Sequence, residues 1–222
     1  MNRKLYLSRE LVLLFVIFLN SLGVTLMVKS GFGISSISSV PYIFAKAFDL
    51  LTLGTWNYLF QTMLVITLMV IKGRFEVGYM FSFVVGVAFG KMIDFHYMWL
   101  SMLPVNFGLQ ILYLVLGFIC LAVGICFANN CSMPIIPTDI FPRDLSELTS
   151  VPYKKVKTIF DLSCLTVTVV VSTIILREIT GIGIGTVICA LTMGKAISMV
   201  QTVIDKRVIF KSYIFNRSLN DF

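Results

Sequence analysis

The chain has 222 residues, of which 58% are hydrophobic and only 13% are charged, and its mean hydropathy is +0.94. This composition excludes an ordinary soluble domain and predicts an integral membrane protein. The net charge of +7 does not indicate a nucleic-acid partner, because the basic residues are spread over the edges of apolar segments.

Six apolar segments follow one another along the chain. Each is close to the roughly 20 residues that a helix needs to cross about 30 Å of hydrocarbon. We therefore predict an all-α membrane fold with six transmembrane helices. The predicted spans are residues 11–28, 51–71, 77–100, 107–128, 158–176 and 181–204.

The basic residues lie mainly at alternate ends of these spans. If the N-terminus faces the cytoplasm, most of the 18 lysines and arginines fall in cytoplasmic segments, as the positive-inside rule requires. The sequence thus predicts a multi-pass protein with both termini in the cytoplasm. Residues 206–222 would form a basic cytoplasmic tail.

Two stretches about a hundred residues apart read as copies of one another. Residues 22–24 and Pro41 align with residues 123–125 and Pro142, and a Gly-Lys pair ends the third and the sixth span. This predicts two repeats, residues 1–103 and 104–205, with three spans each. An odd number of spans makes the second repeat inverted, and inverted repeats commonly hold a substrate site between them. The matching endings are Gly86-x-x-x-Gly90-Lys91 and Ala190-x-x-x-Gly194-Lys195.

The small residues of these endings predict close helix packing. We expect the third and sixth helices to approach one another there. That approach would turn Lys91 and Lys195 toward the interior of the protein.

An irregular segment joins the first two spans of each repeat, at about residues 30–50 and 129–150. Ser38 and Asp139 are predicted to cap a short helix whose first turn contains Pro41 or Pro142. Two interpretations remain open. The helix either re-enters the membrane, where irregular backbone must line a cavity or be buried in protein, or lies on the membrane surface.

Ionisable residues inside spans are rare and usually functional. Lys91 and Lys195 occupy matching places; Asp94 is a local partner for Lys91, whereas Lys195 is expected to pair with Asp161 or Asp139. The alternative is that both lysines reach to an interface. The predicted site for a small anionic or zwitterionic solute comprises Lys91, Lys195, Asp139, Asp161, Gln61, Asn57, Asn20 and Ser38.

The length, the six-span hydropathy, the serine-containing segment 23–41 with its echo up to Pro142, and the two Gly-Lys endings resemble the bacterial YczE/YyaS/YitT-type membrane proteins. The resemblance covers about residues 10–205. It implies a bacterial plasma-membrane protein. It implies no substrate and no functional residues, since that family is largely uncharacterised.

We predict a secondary transporter or exporter that works by alternating access, because inverted repeats, broken segments and intramembrane charge favour it. The alternatives are a membrane-embedded substrate-binding subunit of a larger transport complex and, less favoured, a membrane enzyme. Asp139 and Asp161 show no catalytic spacing, so no enzyme is predicted. No cofactor or metal is expected from one histidine and unpaired cysteines. The expected partners are the lipid bilayer and the solute, and the small-residue helix faces leave a homodimer open as well.

Overall fold

The computed structural model describes residues 5–73, 77–131, 136–178 and 180–211, and most of them are helical. The predicted basic tail beyond residue 211 lies outside the described residues. A π-helical turn, Ser172–Leu176, extends the seventh helix. The elements are β1 Leu5–Ser8, α1 Arg9–Ser30, α2 Ser36–Ala47, α3 Leu53–Lys72, α4 Val77–Ser101, α5 Phe107–Cys131, α6 Pro137–Thr149, α7 Tyr153–Val171, α8 Ile184–Arg207 and β2 Val208–Lys211.

Six helices are long and apolar enough to cross a membrane. They coincide with the six predicted spans, so the all-helical membrane fold is confirmed. The largest shift is in the fifth span, which begins at Tyr153 rather than at residue 158. Pro152 precedes its first turn, a place where the missing N–H of proline costs little. The six stretches are Arg9–Ser30, Leu53–Lys72, Gly78–Ser101, Phe107–Asn130, Tyr153–Leu176 and Ile184–Ile204.

One end of the bundle carries the start of α1, α4 and α7 and the end of α3, α5 and α8. We call it the basic end, because Arg9, Lys72 and Lys154 lie there, and we call the opposite end the far end. At the basic end β1 pairs in parallel with β2, with Leu5 opposite Val208. The two ends of the described chain are thereby held together.

The first span of each predicted repeat forms the centre of the bundle, where α1 packs along α5. A Cβ atom on Gly117 would lie 2.9 Å from the Gly23 carbonyl oxygen, and one on Gly124 would lie 1.9 Å from Asn20 Oδ1. Only glycine permits such close contact of helix backbones. Buried apolar side chains of α1, α4 and α5, including Met27 and Phe89, complete this core.

The predicted approach of the third and sixth spans is wrong. Gly90 of α4 instead packs on Gly54 of α3, where a Cβ on Gly90 would lie 2.5 Å from the Gly54 carbonyl oxygen. A Cβ on Gly194 of α8 would meet no atom of the described residues within 4 Å. The lysines that follow these glycines, Lys91 and Lys195, are exposed on the outer surface.

Short helices α2 and α6 occupy the two irregular segments, as predicted, but they begin earlier than expected. Ser35 has an extended backbone, and its Oγ accepts from Ser38 N–H, so Ser35 caps α2. Helix α6 begins with Pro137 at its first position and has no side-chain cap. Ser38 and Asp139 are therefore first-turn residues rather than caps. Each helix carries its internal proline, Pro41 or Pro142, as the sixth residue, beyond the first turn.

Helix α2 runs beside α7 rather than across the end of the bundle. Val40 shares an apolar cluster with Cys164, and Ser39 Oγ lies 2.7 Å from Thr168 Oγ1. Nearer its C-terminus, Tyr42 lies against Gly181 at the far end. Helix α2 thus begins at mid-height of the bundle and runs to the far end.

Helix α6 follows the opposite course. Pro137, its first residue, lies beside Gly86 in the middle of α4. Asp144, two turns later, accepts a hydrogen bond of 2.7 Å from the Tyr79 hydroxyl near the basic end. Helix α6 therefore also begins at mid-height, and it runs to the basic end.

Candidate functional site

A cavity of about 850 Å³ opens where α2 and α6 begin. Its volume lies within the range of small-molecule sites. The first turn of α2 contributes Ser35, Ser36 and Ser38, and the start of α6 contributes Thr138 and Asp139. Side chains from α1, α3, α4, α5, α7 and α8 complete the walls, so the cavity lies inside the bundle.

Amide side chains line the middle of the cavity. Asn20 projects from α1, and Asn57 and Gln61 project from α3. Gln61 Nε2 donates to Asn57 Oδ1 at 2.6 Å, and Gln61 Oε1 lies against Gly86 of α4.

Two of these amide oxygens, Gln61 Oε1 and Asn20 Oδ1, have no hydrogen-bond partner among the described residues. Gln61 is only 1% exposed and Asn20 only 3%. Buried polar atoms are nearly always paired, since an unpaired one costs about 1–3 kcal/mol. Neither oxygen faces the cavity, however, because Gln61 Oε1 lies against Gly86 of α4 and Asn20 Oδ1 lies against Gly124 of α5.

Charges of both signs line the side of the cavity toward the basic end. On α7, Lys157 Nζ and Asp161 Oδ1 form an ion pair of 3.0 Å. Arg143 of α6 pairs with Asp144 instead.

Two charged residues of this wall, Lys154 and Asp139, have no ion pair among the described residues; the second of them is Asp139 of α6. Its carboxylate has no ion pair or hydrogen bond within the part of the chain that the structure describes. Burial raises the pKa of the Asp139 carboxyl, an effect that the charge of Lys157 opposes and that of Asp161 reinforces. A donor or cation from a ligand would stabilise its charged form.

The structure brings six of the eight predicted site residues to this cavity. Two are absent from its walls, Lys91 on α4 and Lys195 on α8, both of which are exposed. The six are Asn20, Ser38, Asn57, Gln61, Asp139 and Asp161.

The predicted partners of the two lysines are also corrected. Asp161 pairs with Lys157 rather than with Lys195, because a lysine four residues away on the same helix is already within reach. Asp94 accepts from the Thr52 hydroxyl at 2.7 Å and from Gly54 N–H at 2.8 Å. It therefore ties α4 to the start of α3.

Several polar lining residues were not predicted. The i, i+4 spacing of Lys157 and Asp161 was a usable signal, and Ser35 and Ser36 directly precede Ser38 on the same turn. Nothing in the sequence indicates Tyr153 as a site residue, because it lies outside the predicted fifth span of residues 158–176. The missed polar residues are Ser35, Ser36, Asn129, Thr138, Arg143, Tyr153, Lys154, Lys157 and Thr158.

Residues 7–202 match the model of a protein family described as a family of unknown function, DUF6198. The chain belongs to this family. The matched range includes every residue that lines the cavity. No curated protein and no solved structure gives a significant match. The family description assigns no activity.

Proposed function

We propose that the chain is a secondary transporter or exporter that moves a small anionic or zwitterionic solute by alternating access. The observation that carries this proposal is the cavity in which the N-terminal turns of α2 and α6 meet the amides of Asn20, Asn57 and Gln61. Transporters with broken helices bind their solutes in this way, near mid-membrane and between two repeats.

The helix contacts support a two-fold relation between residues 1–103 and 104–205. Helix α2 packs on α7, and α6 packs on α3; α1 packs on α4, and α5 packs on α8. In the predicted repeats α1, α2, α3 and α4 correspond to α5, α6, α7 and α8. When each helix is replaced by its counterpart, the α2–α7 contact becomes the α6–α3 contact and the α1–α4 contact becomes the α5–α8 contact. The α1–α5 contact is unchanged by this replacement. This pattern is expected of inverted repeats arranged around a central site.

The short helices support a binding role as well. Both begin at mid-height and run to opposite ends of the bundle, which favours re-entrant helices over surface helices. The first N–H groups of a helix carry partial positive charge and bind anions. The first turn of α2 holds no acidic residue, and its serine hydroxyls add donors. We assign the anionic group of the solute to this turn.

The positive-inside pattern places the basic end in the cytoplasm. Arg143, Tyr153 and Lys154 line the cavity on that side, so we propose that this conformation faces the cytoplasm. Together with the resemblance to YczE/YyaS/YitT-type proteins, this pattern supports our proposal of a bacterial plasma-membrane protein with both termini in the cytoplasm.

Uptake into liposomes that contain the purified protein tests the proposal. A mixture of small metabolic acids and amino acids is added outside, and accumulation inside is measured by mass spectrometry. We expect at least one solute to accumulate above protein-free vesicles. Gln61→Met, which keeps side-chain length but removes the amide, should reduce that accumulation about tenfold.

Gln110→Met is the matched control, because Gln110 lies on α5 outside the cavity. It should leave accumulation unchanged. Equal loss in both variants, or no accumulation of any solute, would contradict the proposal. Solute binding without transport would instead favour a membrane-embedded binding subunit that acts with a separate energising protein.

A further inference from the structure

The cavity wall toward the basic end holds two carboxylates that differ in their partners. Asp161 Oδ1 lies 3.0 Å from the Lys157 ammonium on the same helix, and this pair is neutral overall. The Asp139 carboxylate, in the first turn of α6, has neither an ion pair nor a hydrogen bond in the described part of the chain. Asp139 therefore adds a negative charge that the pair on α7 does not balance.

The charged and titratable side chains around Asp139 come from α4, α6, α7 and α8. The described walls that α1, α2, α3 and α5 contribute hold none. Arg143 and the Tyr79 hydroxyl both donate to Asp144, further along α6, and Lys154 is exposed at the start of α7. The full set is Arg143 and Asp144 on α6, Tyr79 on α4, Tyr153, Lys154, Lys157 and Asp161 on α7, and Cys189 on α8.

The beginnings of α2 and α6 face the same cavity but differ in charge. Each carries the partial positive charge of a helix N-terminus, which favours an anion. At α6 the protein itself supplies a carboxylate, Asp139. Its counterpart in the first repeat is the neutral Ser38, and the first turn of α2 holds no acidic residue. The start of α2 is therefore the place left for the anionic group of the solute.

An anion at the start of α2 and an ionised Asp139 would repel one another across one cavity of about 850 Å³. Like charges in a partly buried site disfavour one another, and burial already disfavours the ionised Asp139. A proton on Asp139 removes this repulsion. Because linkage between two binding sites is reciprocal, the proton strengthens anion binding by the same factor as the anion strengthens proton binding.

We propose that Asp139 is a proton-binding site and that one proton enters the cavity with each solute anion, so that transport of the anion is coupled to a proton. This inference rests on the proposed transport function. The Asp139 carboxylate takes its proton from water in the cavity when the anion binds, and it returns the proton to water after the anion has left. A cavity with a monoanion and neutral Asp139 then has the same charge as the empty cavity with ionised Asp139.

The pH dependence of anion binding to the purified protein tests this inference. The probes are pyruvate, lactate, benzoate, benzenesulfonate and isethionate, which stay ionised between about pH 5.5 and about pH 7.5. Binding is measured by thermal stabilisation, because a ligand of the folded state raises its apparent stability. We expect at least one probe to bind about tenfold or more tightly at the lower pH, since one linked proton changes affinity by up to about tenfold per pH unit.

Calorimetry counts the protons directly. Binding of the same probe is measured in two buffers that differ in their heat of ionisation, and the difference in heat gives the number of protons taken up. We expect up to about one proton per bound anion. This measurement needs no variant, so it decides the question even if a substitution at Asp139 does not fold.

Asp139→Asn keeps the side chain neutral at every pH. It should bind the probe at about pH 7.5 as tightly as the unmodified protein does at about pH 5.5, and binding should take up no proton. Glu147→Gln removes a carboxylate from an exposed position on the same helix and should keep the pH dependence. His96, the single histidine of the chain, is buried outside the cavity and is present in both variants.

Liposomes extend the test to transport. A proton gradient directed inward should drive accumulation of the bound probe by the unmodified protein, corrected for passive entry into protein-free vesicles. Asp139→Asn should lose this accumulation but still exchange labelled for unlabelled probe.

Two results would overturn the inference in different ways. If the probe binds equally at both pH values without proton uptake, or if Asp139→Asn keeps the pH dependence, the proton site is wrong while transport of the anion still stands. If no probe binds at either pH, the inference and the anionic solute of the proposed function fail together, and liposome transport of another solute would leave only the transporter proposal.

Discussion

Helices α3 and α4 are packed tightly, whereas α7 and α8, their counterparts in the second predicted repeat, make little contact with one another among the described residues. Gly90 lies against Gly54 in the first pair, but a Cβ on Gly194, the counterpart of Gly90, would have open space around it. Asp94 ties α4 to the start of α3, and its counterpart Ser198 is exposed.

This difference indicates how the proposed transporter would change conformation. Side chains of both α7 and α8 line the cavity, so the cavity lies between the two helices that are apart. In an inverted-repeat transporter the two halves exchange conformations. We therefore expect a second state in which α8 closes on α7 while α4 separates from α3.

The largest expected effect on stability comes from a substitution at the contact between α3 and α4. In Gly54→Ala the new Cβ would lie 2.0 Å from the Gly90 carbonyl oxygen and 2.6 Å from Asp94 Cγ, so the two helices have to separate. We expect the free energy of unfolding, measured by denaturant titration in detergent, to fall by about 3 kcal/mol.

Gly194→Ala is the control for that substitution. It adds the same methyl group to α8, where no atom lies within 4 Å, and alanine favours a helix over glycine by up to about 1 kcal/mol. Its unfolding free energy should be unchanged or slightly raised. Equal destabilisation of both variants would mean that α7 and α8 are packed as tightly as α3 and α4.

A smaller loss of stability is expected when the hydrogen bonds of Asp94 to the start of α3 are weakened. Asp94→Asn keeps the shape of the side chain but removes the charge that accepts from Thr52 and Gly54. Hydrogen bonds to a charged group contribute about 2 kcal/mol, and we expect a loss of that size in the unfolding free energy. Ser198→Ala, at the matching exposed place, should change it by less than about 0.5 kcal/mol. A similar loss in the two variants would contradict the assigned asymmetry.

The features of this fold that depend on local composition were predictable from sequence. Six spans follow from apolar length, and the two short helices follow from the irregular segments around Pro41 and Pro142. Six of the eight predicted site residues also line the cavity, because amides and carboxylates in apolar segments are rare enough to stand out.

The positions of Lys91 and Lys195 were not predictable in the same way. Their equivalence in the repeat is a statement about sequence, whereas their orientation depends on which helix packs beside Gly90 and Gly194. The start of α3 packs beside Gly90, whereas no described helix packs beside Gly194. Tertiary packing of this kind leaves no trace in hydropathy or spacing.

The least destabilising substitution is the most direct test of the proposed motion. Gly194→Leu adds a bulky side chain where this structure has open space, so folding should be unaffected. If α8 closes on α7 during transport, the leucine would obstruct the closed state, and we expect solute uptake into liposomes to fall about tenfold, equivalent to about 1.4 kcal/mol. Gly78→Leu is the control, because a Cβ on this α4 glycine also meets no atom within 4 Å and Gly78 lies outside the cavity. Because Gly194 also lines the cavity, solute binding has to be measured beside uptake. Normal uptake by Gly194→Leu would show that α8 does not close at this glycine, whereas loss of uptake with solute binding retained would identify the gap between α7 and α8 as the moving part of the cycle.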